Sequence, residues 1–517
     1  MRTLHIRLAG CLLAGALALT SCTADFDDIN TNPNKMTVGD VQASRMLEPI
    51  LYGASQKWQY YTWYWNNELI QFTAFTGGTT RQEHRYFISD QDWKGVWNTY
   101  GSYANNTLHM AELAEKDGDV ALGAMALTLK VLFMSNLTDM FGDIPYSEAF
   151  QGREEGGTKT PKYDSQQEVY EQMLADLETA NELYATHPEM LDPALDGMYG
   201  GDMEAWRKFN NTLRLRLLCR VGGRAEMDVP ARMKAILDNP EKYPLFASNA
   251  DNARVDYTGI KPYANYFTDE TENEFTASGR KLTEQFIKMT VLSENDIQVY
   301  QDPRLPIWGK KYPGRDYWKG TIAGCTNAQQ SDADSGASRL NYEVFCRATC
   351  PSFFMCYDEL ELILAEAALK GWIDGGEEAA RRYYEAGITA SMEKWNELGA
   401  FSLTPVTITA DDVAAFLDSD LASWDKHEDK ARLIGEQKFL ALFWIGMEAY
   451  HEYRRTGYPE LTIGEGTFND HVLPTRFAYP ATSVATNAAH VAEALQRMGG
   501  DNNMKTPVWW SRQAIGR

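Results

Sequence analysis

The stretch Asn136-Leu137-Thr138-Asp139-Met140-Phe141-Gly142-Asp143-Ile144-Pro145-Tyr146-Ser147-Glu148-Ala149 decides how the chain is read. Apolar residues reach into it from Leu129, Val131, Leu132 and Phe133 and stop at Gly142, with Pro145 three residues on. Glycine just past the last periodic position, followed by proline, is the signature of a helix C-terminus. The spacing predicts a helical segment over roughly 103–140. Downstream, Ser165 and Glu168 form a capping box, and Val169, Met173, Leu177, Ala180 and Tyr184 continue at helical spacing until Pro188. A second periodic run, Trp206, Phe209, Leu213, Leu217 and Val221, ends at Gly222-Gly223, with Arg214, Arg216 and Arg220 decorating it. Residues 164–222 therefore read as a helical hairpin. Similar patterns over 352–396 and 427–454 make four helix pairs in a mainly α chain, suggesting tetratricopeptide-like stacking without a clean 34-residue repeat.

Between these pairs lie loop-rich stretches, 72–100 and 240–350, with turn chemistry and little periodicity. They hold Tyr86, Trp93, Tyr257, Tyr263, Tyr266, Phe267, Trp308, Tyr312, Tyr317 and Trp318. Disordered segments lack such side chains, so these stretches fold over the helical scaffold and build a surface. A flat ring beside hydrogen-bonding residues such as Arg81, Asn327 and Gln329 suits a sugar, which has an apolar C–H face and a hydroxyl rim. The run Trp58, Tyr60, Tyr61, Trp63, Tyr64, Trp65 reads instead as core packing of the first helix.

The N-terminus reads as a processed leader. Arg2 and Arg7 precede an apolar run, Leu8 to Leu19, of about 12 residues, against the roughly 20 that a spanning helix needs. Leu19-Thr20-Ser21-Cys22 has the order of a lipobox, so residues 1–21 are expected to be removed and Cys22 lipidated. Residues 22–39 form a polar tether and 40–517 the folded body. Two or three acyl chains, at about 0.8 kcal/mol per buried methylene, anchor such a protein to a membrane without spanning it. Without Arg2 and Arg7 the 49 basic residues become 47 against 72 acidic ones, a net charge of −25. That balance excludes the basic footprint of a nucleic-acid binder.

No HExxH, P-loop, nucleophile elbow or dinucleotide fingerprint occurs, and no catalytic residue is assigned. Asp139 and Asp143 are the best candidate carboxylate pair for glycoside hydrolysis. Their place at a helix exit favours turn formation instead. Asp332 and Asp334 before Gly336 lack the remaining ligands of a calcium loop, so calcium stays an unsupported option and no cofactor is expected. Removing Cys11 and lipidating Cys22 leaves Cys219, Cys325, Cys346, Cys350 and Cys356, an odd number that reads as buried free thiols. An isolated disulfide is the alternative, and zinc on Cys346, Cys350 and Cys356 has little in its favour.

Several segments, taken in order, resemble the SusD/RagB family of outer-membrane nutrient-binding lipoproteins of Bacteroidetes, in its second SusD-like branch. These are Phe26-Asp27-Asp28-Ile29-Asn30-Thr31-Asn32-Pro33-Asn34, the Asn136–Ala149 exit with Tyr163-Asp164, and Glu436-Gln437-Lys438 with Glu448. They continue with Arg454-Arg455-Thr456-Gly457-Tyr458-Pro459, Pro474-Thr475-Arg476-Phe477-Ala478-Tyr479-Pro480, Gly499-Gly500-Asp501 and Pro507-Val508-Trp509-Trp510. The resemblance implies four tetratricopeptide-like hairpins, a variable loop-rich ligand side and no enzymatic activity. It also implies a SusC-like TonB-dependent transporter as partner, with oligosaccharide, or peptide as in RagB, as ligand. Acidic Asp25, Asp27 and Asp28 are similar to the family's surface-export signal, which favours the outer face of the outer membrane. The family's ligand residues lie in divergent loops, so the candidates rest on region and chemistry: Arg81, Tyr86, Trp93, Trp308, Tyr317, Trp318 and Asn327.

Overall fold

The computed structural model describes residues 42–277 and 279–516. The leader, Cys22, the tether with Asp25, Asp27 and Asp28, and the Phe26–Asn34 motif lie outside the described residues, as does the side chain of Asp334. An opening helix α1, Ser44–Tyr61, precedes four helix pairs. These are α2, Asp90–Asp117, with α3, Val120–Phe141; α4, Gln166–Thr186, with α5, Met203–Arg220; α6, Tyr357–Leu369, with α7, Gly376–Gly399; and α8, Lys430–Ala441, with α9, Glu448–Thr456.

The helix starts follow from local chemistry. Ser165 and Glu168 close the capping box that opens α4. Ser89 and Asp92 do the same for α2, which starts at Asp90 and not near residue 103. The Asp119 carboxylate accepts from Leu122 N at 3.0 Å to start α3. Apolar along nearly its whole length, α3 is long enough to cross a membrane, yet 78% of its apolar window is buried by its neighbours. A helix that is hydrophobic all round needs such a place.

The exit of α3 is clasped by the C-terminal motifs. Met140 O accepts from Phe477 N (2.7 Å), Phe141 O from Arg476 Nη1 (2.9 Å), and Asp143 O from the Tyr479 hydroxyl (2.7 Å). Gly142 turns through φ +89° against Met498, where a Cβ would lie 2.4 Å from the sulfur. Glycine alone satisfies both the backbone angle and the space. Just beyond, the Asp164 carboxylate accepts from Tyr146 N (2.9 Å) and Ser147 N (2.8 Å).

Arg216 and Arg220 of α5 point inward and do not decorate the helix surface as the sequence suggests, whereas Arg214 stays part-exposed beside Glu178. Arg216 chelates Glu359 of α6 at 2.7 and 2.6 Å and lies 3.6 Å from Glu448 of α9. Arg220 pairs with the same Glu448 and sits 3.8 Å from Asp139 of α3. One buried charge cluster therefore touches all four helix pairs, with every member at most 4% exposed. A neighbouring cluster joins Arg455, Glu366, Glu452 and Lys438. Cys219, Cys325, Cys346, Cys350 and Cys356 are free and buried.

Among the described residues there are four two-stranded antiparallel ribbons, all of whose strands lie in the loop-rich stretches except the last, which occupies the first residues of the 352–396 stretch read as helical. Their strands are β1, Thr73–Phe75; β2, Ala253–Val255; β3, Arg280–Leu282; β4, Val291–Glu294; β5, Ile297–Gln301; β6, Gly309–Lys310; β7, Arg339–Leu340; and β8, Ser352–Met355. They pair as β1–β3, β2–β8, β4–β5 and β6–β7. Strands of two to five residues are too short to show a period of two, which is why the sequence reads as loop there. Three of the ribbons join distant segments, and β1–β3 ties the chain after α1 to the 240–350 region.

A charge left alone in that cluster is costly. Glu448→Ala, which strands Arg220, should lower stability by about 3–5 kcal/mol in urea unfolding. Glu112→Ala, which frees surface Arg153, should cost no more than about 1 kcal/mol.

Candidate functional site

The aromatic run at the end of α1 divides into two faces. Trp58, Tyr61, Trp63 and Trp65 are buried, in keeping with the core reading, but Tyr60 and Tyr64 are only half-buried. At Thr62–Asn66 the helix widens into a π turn, a feature frequent at functional sites. Buried Arg280 secures that turn. It donates to Trp63 O (2.9 Å), lies 3.7 Å from the Trp63 ring centroid and pairs with Glu68 at 3.0 Å. Glu68 accepts in turn from Thr73 Oγ1 (2.7 Å) and Phe75 N (2.8 Å), so β1 is locked to the same turn.

Beyond this support, Tyr60 and Tyr64 stack with centroids 5.2 Å apart and planes 17° from parallel, and Tyr266 stands 5.4 Å from Tyr60. Arg81 lies over Trp63 (5.2 Å) and Tyr64 (5.5 Å), and Lys57 over Tyr60 (5.3 Å). Nη1 of Arg81 is buried with no hydrogen-bond partner among the described residues, a donor that a ligand oxygen would satisfy. The Tyr64 hydroxyl lies near Glu83, whose carboxyl is held above the ordinary range, first by burial and then by nearby Glu68. Glu270 is shifted the same way by burial and by Glu274. Three tyrosine rings edged by a guanidinium and carboxyls make a face for a polar ligand with apolar patches.

The remaining residues singled out from sequence fall elsewhere. Asn327 is exposed and accepts from Arg85 Nη1 (2.5 Å), beside the exposed ring pair Phe87 and Phe468 at 5.4 Å. Trp93 lies half-buried in the first turn of α2 and donates to Asp90 Oδ1 (2.8 Å). Trp318 is 5% exposed and bonded to Gln301 (2.7 Å), next to exposed Tyr317. Three of the seven, Tyr86, Trp308 and Trp318, are core side chains, not surface ones. Trp308 is 0% exposed among Phe286, Trp395 and Phe443, and Tyr86 is 1% exposed. No hydrogen bond or ring contact among the described residues joins Arg81 to Trp93, Tyr317, Trp318 or Asn327. Tyr60 and Tyr64 escaped the sequence reading, although the signal was there. Four apart, they share one helix stripe with polar Gln56 and Lys57, opposite Trp58, Tyr61 and Trp65.

Asp139 and Asp143 do not form a catalytic pair. The Asp139 carboxylate accepts from the Tyr170 hydroxyl (2.5 Å) and Trp510 Nε1 (2.7 Å). That of Asp143 accepts from Gln166 N (2.9 Å) and Arg497 Nε (2.8 Å). Both are at most 3% exposed, and burial raises the pKa of each. Asp332 lies in the short helix Gln330–Asp334, and no group of three metal-ligating side chains converges among the described residues.

Comparison with known proteins adds the lineage. The chain resembles a solved chitin-binding protein at 25% identity and TM-score 0.74, covering 91% of this chain and 99% of that one. A SusD homologue from Bacteroides fragilis gives 26% and 0.74, with coverage of 91% and 100%. The fold is shared also with a chitin-binding SusD homologue from Flavobacterium johnsoniae, at 24% identity, TM-score 0.69 and coverage of 90% and 98%. No curated protein matches.

His84 should give this region an acid-labile hinge. It accepts from Gly324 N at 3.0 Å and bonds to the Phe75 backbone, and burial lowers its pKa from 6.5 to about 4. Because the folded state resists protonation, this contribution is complete above pH 6.5 and is lost as pH falls toward 4, by about 3 kcal/mol. The urea midpoint should fall through that window by more in the wild type than in His84→Gln, which keeps an acceptor without the titration. The model of the SusD-like family described as starch-binding and associating with the outer membrane matches residues 33–480, and with the helix pairs and the α3 exit clasp in place, the chain belongs to that family.

Proposed function

We propose that this protein captures oligosaccharide at the cell surface and passes it to a SusC-like TonB-dependent transporter of the outer membrane. Cys22 would carry the lipid anchor, and the face of Tyr60, Tyr64, Tyr266 and Arg81 would hold the sugar. The observation that carries this reading is the Tyr60–Tyr64 stack with an unsatisfied Arg81 nitrogen beside it, raised on a turn that Arg280 and Glu68 hold from below. Pyranose rings offer C–H faces to such a stack, and their hydroxyls suit Arg81, Glu83 and Glu270. The family's description names starch, and relatives of this fold bind chitin, so glucose- and N-acetylglucosamine-based chains are the first ligands to test.

Capture of this kind breaks no bond and needs no cofactor. Affinities between micromolar and millimolar, about −8 to −4 kcal/mol, suffice when a tether holds the binding face beside the pore. The buried ties of Asp139 and Asp143 are in keeping with this, since neither carboxylate reaches a substrate.

Calorimetry with N-acetylchitohexaose and maltohexaose tests the reading. One of them should bind. Tyr64→Ala should weaken it about fivefold, for the loss of one ring contact of about 1 kcal/mol. Arg81→Ala should weaken it about tenfold or more, for a charge-assisted hydrogen bond. Both variants should melt near the wild type. Unchanged affinities, or release of reducing sugar by the purified protein, would overturn the proposal.

A further inference from the structure

A groove on the helical side of the molecule has the chemistry of a second carbohydrate site. Two hollows of about 220 and 440 Å³ adjoin there, sharing Trp97, Gly101 and Phe150. Trp97, Gly101 and Asn105 recur every fourth residue and form one stripe of α2. The facing wall is Phe150 and Pro161, from the chain between the α3 exit and α4, with Tyr163 behind. The groove shares no residue with the Tyr60–Tyr64 face.

Three features are costly for the fold unless something fills this space. Gly101 stands inside a helix of 28 residues, and a Cβ there would meet no heavy atom within 4 Å. Glycine is the worst helix former after proline, and no close packing requires it at this position. Its effect is to keep the middle of the groove open. Phe150, a bulky residue, is held in the left-handed region at φ +64°, where side chains are strained. That backbone sets its ring into the wall where the two hollows meet. Trp97 is half-buried against Phe141, Tyr163 and Tyr479, yet its indole N–H has no partner among the described residues and is not shut off from solvent.

The rim is polar and unused. The side chains of Asn98 and Asn105 form no hydrogen bond to the described residues, so their amides are free to donate and accept. Arg153, the guanidinium at one end, is neutralised by Glu112, and Lys159 on the rim pairs with no carboxylate among the described residues. An aromatic and apolar floor with an amide rim and one exposed lysine at its edge suits the hydroxyls and C–H faces of a sugar chain better than a small ion. We propose that this groove binds neutral oligosaccharide as a second site, an inference that rests on the capture function proposed above. Two weak sites on one body would retain a long polysaccharide far better than either alone.

The test uses Gly101→Phe, which fills the groove from a position with ordinary helical backbone and free space, and should melt no lower than the wild type. Affinity electrophoresis in glycol chitin and in amylopectin reads avidity for long chains. Calorimetry with N-acetylchitotriose and maltotriose on a Phe150→Ala, Gly101→Phe double variant reads the tyrosine face alone. The expected result is a tenfold or greater loss of retention in the gel for Gly101→Phe, with trisaccharide affinity at the tyrosine face unchanged in the double variant. Retention of Gly101→Phe equal to that of the wild type would overturn the second site and leave the first standing. A wild type that neither polysaccharide retards and neither trisaccharide binds would overturn both.

Discussion

The buried charge cluster on α5 is the constraint on which the architecture depends. Arg216 and Arg220 extend from one helix to Glu359, Glu448 and Asp139 on three others, and each of those belongs to a different helix pair. Helix pairs stacked through apolar contacts alone can slide by a turn at little cost. A guanidinium chelated inside the protein cannot, because any shift strands a charge away from water. Desolvation makes such a cluster a poor source of net stability but a strict specifier of register. The Arg455, Glu366, Glu452 and Lys438 cluster repeats the device between the third and fourth pairs.

From that frame two positions are fixed. At the exit of α3, Arg476, Phe477 and Tyr479 satisfy the carbonyls that a helix end leaves unpaired, and Asp143 and Asp164 hold the turn that follows. At the exit of α1, Arg280 and Glu68 play the corresponding part for the widened turn that presents Tyr60 and Tyr64. Both use a buried arginine as a donor to a helix carbonyl, at the end of α3 and inside the widened turn that follows α1. One closes the scaffold, and the other offers rings to solvent. The same side chain chemistry thus closes a helix end in the first case and supports a pair of stacked rings in the second.

Much of the scaffold was legible in the residues. The capping box of Ser165 and Glu168, the glycine stop at Gly142 and the spacing of Val169 to Tyr184 each state a local rule that the structure follows. The binding face was less legible. Arg81 was singled out for its chemistry and lies over the Tyr64 ring, whereas Trp308, Trp318 and Tyr86, which stand in loop-rich stretches, lie in the core. Tyr60 and Tyr64 were hidden by tryptophans at alternate helical positions. A ring in a loop and a ring in a core look the same in one dimension, since what distinguishes them is the far wall, supplied here by β3 and Phe267.

By itself the sequence determined the capped start of α4 and the glycine stop of α3, the net acidic charge, and the motif order that marks the family, because each of these depends on neighbours within a few residues or on composition. Tertiary structure alone decided that Arg216 and Arg220 face inward, that Asp139 and Asp143 are ties, and that two tyrosines of a core-like run form a half-buried stack. Burial, charge pairing and ring stacking are set by partners as much as hundreds of residues away, and a local pattern carries no record of which of them will arrive.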